Sequence, residues 1–218
     1  MSSNDRDFAR IMRRCGIGLT GGTATGKTTV GTHLRDLGYL VIDADKLARQ
    51  AVKQQSKGLA QVVSEFGGSI LKESGELNRK KLGQIIFNDE SAKKKLESII
   101  HPIIHRKLAK KIETAGLWEN PRYWFYEAAL LYETGYAARL LQIWAVHCSI
   151  ETQLKRIVSR DKVSMEHAQK IIDAQLSNKI KTQKADIVID TSTSIEELDA
   201  KIRVAIEYLP PLNSDSLL

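Results

Sequence analysis

Gly21-Gly22-Thr23-Ala24-Thr25-Gly26-Lys27-Thr28 is the stretch whose reading decides the fold. The apolar run Ile17-Gly18-Leu19 precedes it, and an amphipathic stretch carrying Val30, Leu34 and Leu37 follows. G-x-x-x-x-G-K-[ST] between a strand and a helix is a loop suited to polyphosphate. Its glycines let the backbone turn so that successive N–H groups point inward, and a helix starting near Lys27 adds the positive end of its dipole. Lys27 then reaches the β- and γ-phosphates as a flexible point charge, and the Thr28 hydroxyl is a hard oxygen ligand for Mg2+. The expected nucleotide-binding set is Gly22, Thr23, Ala24, Thr25, Gly26, Lys27, Thr28 and Thr29, with ATP or GTP as ligand.

The chain has 218 residues, 42% of them hydrophobic, which is enough for one sizeable core with appendages. Lys and Arg number 33 against 26 Asp and Glu, a net charge of +7. That charge is spread along the chain, so anionic small molecules suffice as partners, and neither nucleic acid nor a membrane is called for. Basic runs such as Lys93-Lys94-Lys95 lie on helix-like stretches and read as solvated faces. Cys15 and Cys148 lie in apolar runs without C-x-x-C spacing, which indicates neither a disulfide framework nor a zinc site and suits a reducing cytoplasm. No stretch approaches the roughly 18 consecutive apolar residues of a membrane span. Residues 1–14 are polar, contain arginines, lack a signal-peptide core and read as a flexible tail.

Past the loop, 28–37 carries helical spacing that Gly38 stops, and Tyr39-Leu40-Val41-Ile42 is a short buried strand ending in Asp43-Ala44-Asp45. Ligands of open α/β sheets sit beyond the carboxyl ends of the strands, so both carboxylates are expected beside the phosphate loop. Asp45 reads as the general base for an attacking hydroxyl, the alternative being the N-cap of the helix that follows. For Asp43 two readings stand, a metal-associated carboxylate and the N-cap of a helix beginning near Lys46. From 56 to 118 the pattern is helical, at 59–66, 79–87 and 92–115, with Pro102 interrupting the last. So long a crossover reads as a helical insertion that builds the pocket of a second substrate. His101, before Pro102, reads as a capping or packing residue or as a substrate contact.

Further buried strands are expected at 122–126 and 141–146. Glu127, just beyond the first, approaches Mg2+ through water or else pairs locally. The helix at 150–162 puts Leu154 and Ile157 inward and Arg156 and Arg160 on one face. Two guanidiniums there fit a phosphate clamp on a mobile lid, the alternative being a solvated surface. Ile187-Val188-Ile189 reads as a last strand, 191–194 as the cap of a helix over 195–209, and 210–218 as a frayed tail.

Taken together the chain resembles the dephospho-coenzyme A kinase family from about Ile17 to Leu209. The carriers are the loop, Ile42-Asp43-Ala44-Asp45 with Ala48-Arg49, Gly75-Glu76-Leu77-Asn78-Arg79, Ile86-Phe87, His101-Pro102 with Arg106, and Leu130-Leu131-Tyr132-Glu133. Phe66-Gly67 before Ile70-Leu71, Arg156 to Arg160-Asp161, Gln175 and Lys184-Ala185-Asp186 complete them. The resemblance implies transfer of the ATP γ-phosphate to the ribose 3′-hydroxyl of dephospho-CoA, with Mg2+. It implies a three-layer α/β/α P-loop kinase with a central parallel sheet, a core at 15–55 and 120–209, a helical CoA-binding insertion at 56–118 and a lid at 151–184. It makes Asp45 the proton acceptor and gives the phosphoryl group Lys27, Arg156 and Arg160. It puts Arg49 near the acceptor and His101 and Arg106 in the acceptor's helical unit; the candidate metal residues remain those read from the chain, Thr28, Asp43 and Glu127.

Three departures stand out. Thr23-Ala24-Thr25 replaces a small apolar residue followed by Gly-Ser, which the loop tolerates if its backbone stays unstrained. Ala129 stands before Leu130-Leu131 where proline is usual, and Thr191 replaces an asparagine, so no adenine contact is carried over to that position. The rival readings are a shikimate- or gluconate-type small-molecule kinase and, from another class, a nucleotide-dependent switch or nucleic-acid-binding ATPase. The long insertion counts against the first, and the lack of Asn-Lys-x-Asp or an aromatic-interleaved basic face against the second.

Overall fold

The computed structural model of the protein describes residues 3–212. Its elements in chain order are α1 (Ser3–Cys15), β1 (Gly16–Thr20), α2 (Lys27–Asp36), β2 (Leu40–Asp43), α3 (Ala44–Ala51), α4 (Lys57–Phe66), α5 (Arg79–Asn88), α6 (Glu90–Thr114), β3 (Trp124–Glu127), β4 (Gln142–His147), α7 (Ile150–Asp161), α8 (Met165–Asp173), α9 (Asn178–Gln183), β5 (Ile187–Asp190) and α10 (Ile195–Glu207). The strands form one sheet in the order β2-β3-β1-β4-β5, and the β1–β3, β1–β4 and β4–β5 pairings are parallel. Parallel neighbours need long crossovers, and helices supply them here, as the α/β reading expects.

The chain divides into two compact units, Met1–Ile42 with Gly116–Leu218, and Asp43–Ala115. In the first, the side chains of β1 alternate between two faces of the sheet. Ile17 and Leu19 join a buried cluster with Val30 and Leu34 of α2, Phe125 of β3, Trp144 and Val146 of β4, Ile189 of β5 and Leu198 and Ile202 of α10. Phe125 meets Trp144 edge-on at 5.0 Å and Tyr39 at 5.5 Å. On the opposite face, a Cβ at Gly18 would come within 2.5 Å of Leu131, so glycine is what lets that segment close on the sheet. With both faces covered, the strands read as apolar runs rather than as alternating patterns.

The N-terminal tail expected over 1–14 is corrected from Ser3 onward, with residues 1–2 outside the described residues. From Ser3 the chain is helical, and Phe8, Ile11, Met12 and Cys15 are buried. Their i, i+3, i+4, i+7 spacing makes an apolar stripe that the interspersed arginines conceal in a reading by composition. At the other end Glu207 closes α10, Leu209 packs on the cluster, and 213–218 of the expected tail lie outside the described residues.

The second unit starts earlier than the expected insertion. It takes in Asp43 and α3, which the reading of 15–55 assigned to the core. Val52, Leu59, Val62, Ile70, Leu77, Leu82 and Leu96 make its own core, and α3, α4 and α5 pack against α6. Among the described residues it holds an isolated antiparallel bridge between Leu71 and Leu77. Pro102 does not divide α6, which runs unbroken from Glu90 to Thr114. An internal proline disfavours a helix by about 3 kcal/mol. Buried Leu96 on one side of it and Leu108 and Ile112 on the other outweigh that penalty, since each contributes about 1.5–3 kcal/mol.

Candidate functional site

β1 delivers the chain into the loop at its carboxyl end, and α2 begins at Lys27 with Gly26 as N-cap at φ 97°. No side chain caps α2, so the first backbone N–H groups of its opening turn face the loop's concavity without a competing cap. Lys27 Nζ donates to Gly21 O at 2.8 Å and to Gly22 O at 2.9 Å, curling over the loop. The Thr25 hydroxyl donates to Gly22 O at 3.0 Å and tightens the turn. Thr28 and Thr29 lie exposed in the first turn of α2.

The condition for tolerating Thr23-Ala24-Thr25 is not fully met, because Ala24 has φ 61°, a left-handed conformation that glycine adopts freely. A Cβ there costs about 1–2 kcal/mol. Opposing that, Arg156 Nη1 donates to Ala24 O at 3.3 Å, and the Thr191 hydroxyl donates to Thr25 O at 2.6 Å. Thr191 is thus a brace under the loop, a role the sequence reading did not give it.

Glu127 ends β3 and is 6% exposed. The Thr28 hydroxyl donates to its Oε1 at 3.4 Å, and Arg35 Nη2 pairs with Oε2 at 3.4 Å. A hydroxyl and a carboxylate oxygen at that separation match the hard donors Mg2+ takes from protein while keeping several waters. Among the described residues no group of three or more His, Cys, Asp or Glu forms a metal cluster. Asp43 caps α3. Its Oδ1 accepts from Lys46 N at 2.9 Å and fixes the first turn of α3.

The two arginines of α7 separate. Arg156 Nη2 donates to Thr191 O at 3.1 Å and Nη1 bonds Ala24 O, so this guanidinium is folded onto loop carbonyls. Arg160 is exposed and makes a two-pronged pair with Asp161 at 2.8 Å on both oxygens. That pair holds the Asp161 carboxyl below its ordinary range and pushes the Arg160 guanidinium above its own. Gln153 and Ile157 are the buried positions of α7, with Leu154 and Arg156 half-buried beside them.

Three residues that sequence reasoning missed tie this region together. Gln153, 1% exposed, donates Nε2 to Thr23 O at 2.6 Å and accepts from Asn178 Nδ2 at 2.6 Å. Lys181 is fully buried, with Nζ 2.6 Å from Ala129 O and 3.0 Å from Glu133 Oε1. Leu176 N donates to the same Glu133 oxygen at 3.1 Å, so one carboxylate holds both the entry and the body of α9. The only signal in the sequence was a lysine at an inward position of a short helix. Lys181→Met is expected to destabilise the fold by about 3 kcal/mol, discounted because Glu133 keeps some solvent contact. Denaturant unfolding measures this, and a loss below about 1 kcal/mol would mean that the pair is idle. Burial also raises both thiols, Cys15 up to about 11, so neither is a nucleophile near neutral pH.

In the second unit Asp45 and Arg49 are exposed four residues apart on α3, hence on one face. Arg49 lines a cleft of about 490 Å3 together with Lys53, Lys72, Glu76, Arg79 and Lys80. Five cations against one carboxylate make it a cleft for an anion. His101 and Arg106 are exposed on α6, five residues apart and so on different faces, and they do not line this cleft.

The family profile described as CoaE, dephospho-CoA kinase, matches residues 15–197. A dephospho-CoA kinase of Geobacter sulfurreducens is 42% identical over 186 residues, 85% of this chain and 94% of that protein. One from Shouchella clausii is 41% identical over 182 residues, 83% of this chain and 91% of that protein. Among solved structures, TT1252 from Thermus thermophilus superposes with a TM-score of 0.77 at 28% identity, covering 91% of this chain and all of that one. Dephospho-CoA kinase from Campylobacter jejuni gives 0.62 at 30% identity, covering 88% and 95%. With a match running from the end of α1 into α10, through the phosphate loop, β3 and the α7–α9 segment, the chain belongs to the dephospho-CoA kinase family.

Proposed function

We propose that this chain transfers the γ-phosphoryl group of ATP to the ribose 3′-hydroxyl of dephospho-CoA, giving CoA and ADP, and that the residues below carry the reaction. The observation that supports it most is the uncapped start of α2, with Lys27 curled over the loop and Thr28 beside Glu127, in a chain of the dephospho-CoA kinase family.

Gly22 to Thr29 cradle the phosphates, and Lys27 binds the β- and γ-groups. Thr28 and Glu127 would hold Mg2+, which would supply positive charge to the phosphate oxygens. Asp43, as a helix cap, sets the turn that carries Asp45. Asp45 takes the proton of the 3′-hydroxyl as that oxygen bonds to the γ-phosphorus, and the bond to the β–γ bridging oxygen breaks to release ADP. Arg49 and the basic cleft receive the acceptor's diphosphate. His101 and Arg106 contact other parts of the acceptor. Arg156 and Arg160 supply charge to the transferring group once released from their present partners. Two buried, protonated thiols suit a cytoplasmic setting, and among the described residues no helix is long and apolar enough to cross a membrane.

Product analysis tests the reading. Incubation with ATP, Mg2+ and dephospho-CoA is expected to raise the acceptor's mass by one phosphate, and the 3′-deoxy acceptor is expected to remain unmodified. Phosphorylation of the 3′-deoxy compound would contradict the assigned position.

A further inference from the structure

Two peptide planes of the phosphate loop are held on both edges. Gly22 N–H donates to Asn178 Oδ1 at 2.9 Å, and Thr23 N–H donates to Gln175 Oε1 at 3.0 Å. The carbonyls of the same two peptides, Gly21 O and Gly22 O, are those that accept from Lys27 Nζ. In a trans peptide the C=O and the N–H point in opposite directions within one plane. The amide oxygens of Asn178 and Gln175 therefore grip one edge of each plane while the ammonium sits on the other. The grip has work to do, because the Gly21–Gly22 peptide joins two residues without Cβ and Gly21 has φ 150°. Such a plane rotates cheaply, and rotation would withdraw Gly21 O from Lys27.

The gripping side chains are themselves braced. Gln153 is bonded at both ends, to Thr23 O and to Asn178, in a site almost closed to water. Asn178 opens α9, which the buried Lys181 anchors three residues later. The fit leaves no slack, since a Cβ at Gly22 would lie 2.6 Å from Asn178 Oδ1 and 2.9 Å from Gln153 Nε2. Amide groups that hold one another around a buried member such as Gln153 stay in place.

We propose that Gln153, Gln175 and Asn178 are positioning residues for Lys27, fixing the two peptide planes whose carbonyls aim its ammonium at the nucleotide phosphates. They act through the loop backbone, and through them the α7–α9 segment sets the geometry of the phosphate site. The proposal rests on Lys27 being the phosphate-binding lysine.

A double-mutant cycle on the full chain tests it, reading ATP affinity by calorimetry with Mg2+ for the wild type, Asn178→Ala, Lys27→Ala and the double variant. Asn178→Ala is expected to weaken ATP binding by about 3- to 10-fold alone, but by less than about twofold in the Lys27→Ala background. Gln175 is half-buried in a turn, so Gln175→Ala repeats the cycle at a position where folding is not at stake. Unfolding midpoints are read alongside, because a merely structural role would lower them and give the same affinity loss in both backgrounds. Equal losses in both backgrounds, or no loss in the wild-type background, overturn the proposal. If Lys27→Ala alone leaves ATP affinity unchanged, it is the phosphate-binding role of Lys27 that falls first.

Discussion

Asp45→Asn is expected to cut turnover by about 10²–10⁴-fold while ATP affinity stays within about twofold. Asparagine keeps the size and polarity of the side chain but accepts no proton, so the attacking hydroxyl must lose its proton to solvent. Asp45 is exposed in the first turn of α3, and its neighbour Asp43 keeps that turn capped in the variant. The fold therefore has no reason to change, and an unchanged unfolding midpoint confirms that. Turnover is read as ADP release with saturating acceptor. A value within about threefold of the wild type would remove Asp45 from the reaction and leave it as a helix N-terminal acid.

Lys27→Ala is expected to lower turnover by about 10²–10³-fold and also to weaken ATP binding. Two consequences add in this variant. The transferring group loses its nearest fixed cation, and Gly21 O and Gly22 O lose the donor that holds them at 2.8 and 2.9 Å. Lys27→Arg is expected to recover little, since a planar guanidinium fork cannot replace a compact ammonium placed between two carbonyls. Steady-state turnover with calorimetric ATP affinity separates the two losses. Full activity in Lys27→Ala would return the loop to a glycine-rich turn without phosphate chemistry.

The parts of the molecule that were legible in the sequence are those encoded by neighbours in the chain. Gly21 to Thr28 declared a phosphate loop because glycine, lysine and threonine act there within one turn of each other, and the strand ending at Glu127 was a plain apolar run. Where meaning depends on distant partners, the reading failed. Gln153 and Asn178 meet Thr23 and Gly22 across about 130 and 156 positions, and nothing local to either residue announces this. Phe8, Ile11 and Met12 were masked by the arginines among them, although their helical period was present. Pro102 carries a local penalty that the packing of α6 overrides, so a rule about single residues gave the wrong boundary. The clamp expected of Arg156 and Arg160 shows the same limit, because spacing put both on one helix face but could not say that one would bend to Thr191 and the other to Asp161.

The identity of the accepting hydroxyl decides the reaction. The measurement that tests it most directly is ADP release from ATP and Mg2+ with dephospho-CoA, shikimate and gluconate supplied separately to the wild-type protein. Stimulation by dephospho-CoA alone, with CoA as product, is the predicted result. Equal or greater stimulation by shikimate or gluconate, or none by dephospho-CoA, would contradict it.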